Sequence, residues 1–250
     1  MSNVSVQNSI VKVEDLTIAY DEKPVLWDID AEIKNASITA IIGPNGAGKS
    51  TLMKGILGLS NILSGHVEIM GKEVKEVQKH ITYIPQTSSV NWDFPTTVLD
   101  VVLMGRYIHR GWIRRTNKED KQKALEALER MGMSEFRDRQ ISRLSGGQKQ
   151  RVFIARAIAS DAQIYFMDEP LAGVDKKSEG VIMNFLREAQ SEGKTSVVVH
   201  HDLNTVPKYF DHVLILNKRM IAQGPLDTTF TKDNILKAFG EMGGGEFIHV

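Results

Sequence analysis

The 250-residue chain contains no cysteine. That excludes a disulfide framework, an iron–sulfur cluster, a thiolate zinc site and a cysteine nucleophile. Neither charge is in excess, since 31 Lys and Arg stand against 31 Asp and Glu. A balanced chain lacks the basic surface on which nucleic-acid binding draws, so no nucleic-acid partner is expected. There is also no apolar run of the roughly 18 residues that a membrane-spanning helix requires. The opening segment, MSNVSVQNSIVKVEDL, has neither a basic n-region nor an apolar h-region, so no secretory signal is expected. What remains is ordinary for a globular protein: 42% hydrophobic and 25% charged residues, enough to build a core.

The spacing of apolar residues gives the organisation. Alternation predicts strands over Ile10–Ile18 and Trp27–Ile33. Thr39–Ile42 is a short apolar run of the kind found in strands buried on both faces, and it stops at Gly43. A helix is predicted over Ser50–Leu59, then short strands over Gly65–Met70 and His80–Ile84. From about Ser88 to Ala159 the texture is helical. Lys118–Met133 is amphipathic, with Ala124, Leu128 and Met131 on one face and Gly132 suited to its C-terminus. Gln148–Ala159 repeats the helical spacing. Apolar strands follow at Ile164–Met167 and Ser196–Val199, with a helix over Ser178–Gln190 between them. His212–Leu216 and Met220–Gln223 predict a hairpin, and residues 241–250, with Gly243–Gly245, a flexible tail. This order predicts an α/β fold in a single domain. Residues 10–87 and 160–240 would form the core, and residues 88–159 an inserted helical subdomain.

Gly43-Pro44-Asn45-Gly46-Ala47-Gly48-Lys49-Ser50 fits GxxxxGK[ST], with an apolar strand before it and a helix after it. Glycines let backbone N–H groups approach phosphate oxygens, and the helix start adds unpaired N–H groups and a positive dipole end. Lys49 brings a fixed charge to the β- and γ-phosphates, Ser50 a hydroxyl for Mg²⁺, and Thr51 continues the same helix start. A second group is the strand Ile164–Met167 ending in Asp168 and Glu169. In a phosphate-loop enzyme the Asp at this strand end holds Mg²⁺, and the next carboxylate can serve as general base toward water. ATP and Mg²⁺ are therefore the expected cofactors.

Leu144-Ser145-Gly146-Gly147-Gln148 follows in the helical region, between the Gly43 loop and Asp168-Glu169. With these three motifs in this order, the chain from about Ile10 to Gly240 resembles the ATP-binding-cassette (ABC) family. The resemblance implies a phosphate-loop NTPase core with an N-terminal antiparallel β subdomain and an inserted α-helical subdomain. It also implies a dimer, because in the family Ser145, Gly146, Gly147 and Gln148 would contact the nucleotide held by a second copy. By the same resemblance Tyr20 would stack on adenine. Gln86 would sense Mg²⁺ and the attacking water, and Asp175 would communicate across the dimer. His201 would contact the γ-phosphate. The loop Ala172-Gly173-Val174-Asp175 departs from the commoner Ser-Ala-Leu-Asp of the family. Glu169, Gln86, His201 and Lys49 are thus the implied catalytic residues. His200 faces the other way along a strand and is expected to be structural, so His200, His201 and Asp202 do not form one metal shell.

Cassettes power several functions. Translation cassettes pair two copies in one chain and repair cassettes insert long coiled coils, and the stretch from Ser50 to Leu144 shows neither. The segment Gln86–Tyr107, with His200-His201-Asp202-Leu203 and Val206–Asp211, resembles the metal-importing branch. That branch serves manganese, zinc or iron and works with a solute-binding protein outside the cell. Manganese is the first expectation and zinc or iron the next. The alternative is a soluble assembly ATPase, such as that of iron–sulfur cluster biogenesis. An importer subunit without a membrane span would sit at the cytoplasmic face of the membrane and need separate permease subunits. Trp92, Phe94, Leu99, Met104 and Tyr107 are candidates for the wall of a permease-binding groove. Leu99 and Met104 are expected to pack the helical core instead, while Trp92 and Phe94 suit either role. Arg106 is a candidate for a buried salt bridge.

Overall fold

A computed structural model of the protein describes residues 9–20, 23–110 and 116–240. In chain order the elements begin with β1 (Ser9–Tyr20), β2 (Lys23–Lys34), β3 (Ile38–Ile42), α1 (Lys49–Ile56), β4 (Ile62–Ile69), α2 (Val74–Val77) and β5 (Ile81–Ile84). The helical stretch holds α3 (Val98–Leu103), α4 (Tyr107–Arg110), α5 (Lys118–Arg130) and α6 (Gly146–Ala159). Then come β6 (Ile164–Asp168), α7 (Lys176–Ser191), β7 (Thr195–Val199), α8 (Val206–Tyr209), β8 (His212–Asn217), β9 (Arg219–Pro225), α9 (Leu226–Thr229) and α10 (Lys232–Phe239). The described residues fall into two compact units. One runs up to Gln78 and resumes at Thr195; the other is Lys79–Lys194.

In the first unit, β1 pairs antiparallel with β2 on one side and β4 on the other. Ile29, Ala31 and Ile33 of β2 are buried and alternate with exposed Asp30, Glu32 and Lys34, because successive side chains of a strand face opposite ways. The same unit holds strands in the order β7-β3-β8-β9. β3 is parallel to both neighbours and all five of its residues are buried, as its continuous apolar run predicts. The hairpin β8–β9 turns at Lys218, whose φ is 61°. The helix predicted to reach Leu59 ends at Ile56, because Gly58 turns left-handed at φ 67°. α10, where the sequence reading places no element, starts at a Thr231 cap accepting from the Asn234 N–H.

In the second unit, β5 and β6 pair in parallel, Ile81 opposite Ile164 and Ile84 opposite Met167. Thr97, Asn117 and Ser145 cap α3, α5 and α6, each through a reciprocal box with the third helical residue. The helix predicted to Met133 ends at Arg130, with Gly132 left-handed at φ 62° just beyond. Arg106 makes the expected buried salt bridge. Its Nε lies 3.1 Å from Asp120 Oδ1 and its Nη1 donates to the Ala159 carbonyl at 2.8 Å. Asp120 is also the box residue of α5, so this buried charge is held by both the guanidinium and the Asn117 N–H.

Met104 departs from expectation. It is 38% exposed and does not belong to the helical core. It stands in a short 3-10 turn between α3 and α4, where the helical spacing that would have turned it inward is broken. Leu99 is half-buried. The expected tail, residues 241–250, lies outside the described residues. Among the described residues no helix is long and apolar enough to cross a membrane.

Candidate active site

The first unit builds the phosphate loop from backbone. β3 delivers the chain to Gly43, where a Cβ would stand 2.0 Å from the Leu216 carbonyl oxygen, so only glycine fits beside β8. Gly48, at φ 95°, caps α1 without a side chain, in a conformation that L side chains rarely adopt. The loop is pinned by the Ala47 N–H on the Pro44 carbonyl (3.1 Å) and by the Lys218 N–H on the Ala47 carbonyl (2.9 Å). Asn45 and Gly46 are exposed at its tip. Lys49 is buried, and its ammonium donates to the carbonyls of Gly43 (2.8 Å) and Pro44 (3.0 Å). The charge is therefore fixed at the loop itself. Ser50 and Thr51 follow in the first turn of α1, where backbone N–H groups have no intrahelical acceptor.

Register places His201 beside this loop. Val199 pairs with Ile41, and the His200 N–H donates to the Ile41 carbonyl at 3.0 Å. Gly43 and His201 thus lie two residues beyond a matched pair, at the same end of parallel neighbours. His201 is exposed, whereas His200 is 3% exposed with its Nε2 at 2.7 Å from the Thr205 hydroxyl. His200 is structural, as the strand alternation predicts. Tyr20 closes β1 opposite Lys23; its side chain lies outside the described residues.

The second unit gathers the carboxylates and the LSGGQ segment. β6 ends at the buried Asp168. Glu169 follows at φ 51°, a left-handed conformation uncommon for a non-glycine residue, which turns the chain sharply as the strand ends. The Gln86 amide nitrogen donates to Glu169 Oε2 at 2.8 Å. Two residues expected to act on the same water are therefore in direct contact. Ser145 caps α6, leaving Ser145 and Gly146 exposed at the helix start. Gln148 spends its side chain on the Ser145 N–H (3.0 Å) within the capping box. Asp175 caps α7, accepting from the Ser178 N–H (3.0 Å) and the Ser178 hydroxyl (2.8 Å). The backbone bond and then the hydroxyl bond hold the Asp175 carboxyl below the usual carboxylate range. A Cβ at Gly147 would lie 3.7 Å from Asp175 Oδ2, so the LSGGQ helix start packs against this cap.

Sequence reasoning singled out neither Thr87 nor Gln150. The Thr87 hydroxyl donates to Gln150 Oε1, and Gln150 is 2% exposed within α6. Its one trace in the sequence is a polar residue at a core-facing helical position. Trp92, which suited either groove or core, is half-buried. Its ring lies 4.8 Å from that of Phe153 and its Nε1 donates to the Thr87 carbonyl at 2.9 Å. Phe94 is exposed instead.

Comparison with known proteins agrees with this geometry. Residues 26–172 match the model of the ABC transporter family. The chain is 53% identical to the zinc transport system ATP-binding protein TroB of Treponema pallidum, over 96% of this chain and 90% of that protein. It is 52% identical to the manganese transport system ATP-binding protein MntB of Bacillus subtilis, over 92% of each. Among solved structures, the ADP conformation of MJ1267, an ATP-binding cassette of an ABC transporter, superposes with a TM-score of 0.79 at 28% identity, covering 97% of this chain and 99% of that one. The phosphate loop on β3, the carboxylate pair ending β6 and the capped LSGGQ helix thus stand in a chain that belongs to the ABC transporter family and is an ATPase of that family.

Proposed function

We propose that the chain is the ATP-hydrolysing subunit of an importer for a transition-metal ion, manganese first, which drives a separate permease through ATP-dependent dimerisation. The supporting observation is the identity of 52–53% to ATP-binding proteins of manganese and zinc transport systems across nearly the whole chain. In this reading the N–H groups of residues 43–51 and the Lys49 ammonium hold the ATP phosphates, and Tyr20 stacks on adenine. Ser50, Gln86 and Asp168 offer the hard oxygen donors that Mg²⁺ takes, and the ion would neutralise phosphate charge when bound. Glu169 accepts the proton of a water whose oxygen bonds to the γ-phosphorus as the bond to the bridging oxygen breaks. Gln86 aims that carboxylate, and His201 meets the γ-phosphate. Ser145, Gly146, Gly147, Gln148 and Asp175 of a second copy would complete the contacts, so ATP favours the closed pair by differential binding.

The permease side of the proposal rests on Phe94, Met104, Tyr107 and Ile108. They are exposed at 64%, 38%, 52% and 46%, apolar side chains within one compact unit. Such residues suit a membrane subunit that places the chain at the cytoplasmic face. A metal-binding protein outside the cell would feed that permease.

Purification of the tagged chain from its own membranes tests the reading, together with metal analysis of cells lacking it. An integral membrane protein recovered with the chain and a fall in cell manganese are expected. A fall in zinc or iron would reassign the ion. Recovery only within a soluble assembly complex would replace transport by the assembly alternative.

A further inference from the structure

We propose that Thr87 and Gln150 form a positioning contact that ties the Gln86–Glu169 pair to the LSGGQ helix. The proposal rests on the ATPase reading. The path is continuous within one compact unit. Glu169 accepts from the Gln86 amide. The Gln86 carbonyl is gripped by the Ser89 hydroxyl (2.7 Å) and the Ser89 N–H (3.0 Å). The next residue, Thr87, gives its hydroxyl to Gln150 and its carbonyl to Trp92. Trp92 in turn lies on Phe153, with the Lys149 ammonium 5.1 Å from its ring centroid. Residues 149, 150 and 153 of α6 therefore hold the segment after Gln86 from one side. The path returns through Gly147 against Asp175, and the Ala172 N–H on the Glu169 carbonyl closes it at 3.1 Å.

Gln150 is 2% exposed, a polar side chain among the otherwise apolar buried residues of α6. The Thr87 hydroxyl is what Gln150 engages, and Thr87 is the neighbour of the residue that touches the general base. Loss of this contact frees the Gln86 backbone to shift relative to α6, and Glu169 loses its aim.

The test uses the purified full chain and the variants Thr87→Val, Thr87→Ser, Gln150→Leu and the double Thr87→Val/Gln150→Leu. We expect kcat for ATP to fall about tenfold in Thr87→Val and in Gln150→Leu, with KM held within about twofold. The double variant should fall no further than either single, since each removes the same contact. Thr87→Ser, which keeps the hydroxyl, should restore kcat. Gln150→Leu should keep a cooperative thermal melt while turning over slowly, a combination that a merely structural role does not give. Unchanged kcat in a folded Gln150→Leu, or no rescue by Thr87→Ser, would overturn the positioning role and leave the ATPase reading standing. A wild-type chain without ATPase activity would overturn both.

Discussion

Residues 43–51 and residues 86–87, 145–150 and 168–175 approach nucleotide chemistry by opposite means. At the first, side chains are mostly absent and the backbone conformation is the device: Gly43 beside the Leu216 carbonyl, Gly48 at φ 95°, and a lysine bonded to the loop's own carbonyls. At the second, side chains meet one another or the backbone: Gln86 bonds Glu169, Thr87 bonds Gln150, and Asp175 stands beside Gly147. A backbone device restricts residue types at fixed spacing, because each glycine answers a steric demand. A side-chain network can be retuned one contact at a time, which suits the control of turnover.

Substitutions can break this contrast from either side. The largest effect is expected at Glu169. Glu169→Gln should lower ATP turnover by about 10²–10⁴-fold while nucleotide still binds and a dimer accumulates, measured by phosphate release and size exclusion with ATP. Normal turnover would remove the base assignment. Lys49→Ala should do the reverse, weakening ATP binding about 10–100-fold in calorimetry, as expected for a lost charge-assisted contact to phosphate. Equal affinity in that variant would sink the phosphate-loop role. Phe94→Asp should uncouple import in reconstituted vesicles, with ATPase of the isolated chain within about twofold of wild type. The permease surface would have to lie elsewhere if import survived.

The smallest effect concerns Asp175. Its carboxyl titrates below the ordinary value in the folded chain because Ser178 bonds the ionised form. A depressed folded pKa adds stability above the unfolded value of 3.8, and that stability is lost as the pH falls through the lower folded value. Asp175→Ala should therefore melt slightly below wild type at neutral pH, and the gap should close in acid. A constant gap across that range would show that the cap does not act through its charge.

The two regions were also unequally legible. GxxxxGK[ST] can be read directly, because the loop's geometry constrains eight consecutive residues. Asp168 and Glu169 could be located by the apolar strand before them, and LSGGQ by its place between the two other motifs. Trp92 could not be assigned, since an aromatic in a polar segment reads alike as groove wall or packing. Its ring against Phe153 joins residues 61 apart in the chain. Met104 was misplaced because helical spacing does not reveal where a short 3-10 turn interrupts it. Thr87 carries no motif at all.

The amino-acid order alone determined the α/β class, the phosphate loop and the paired carboxylates. Each of these rests on neighbours within a turn or two of chain, where period and residue type suffice. Tertiary structure alone decided that Gln86 holds Glu169, that Arg106 is buried on Asp120, and that Gln150 reaches Thr87. Those relations depend on which distant elements pack together, and a hydrogen bond forms only within about 3 Å, a distance that no local pattern encodes.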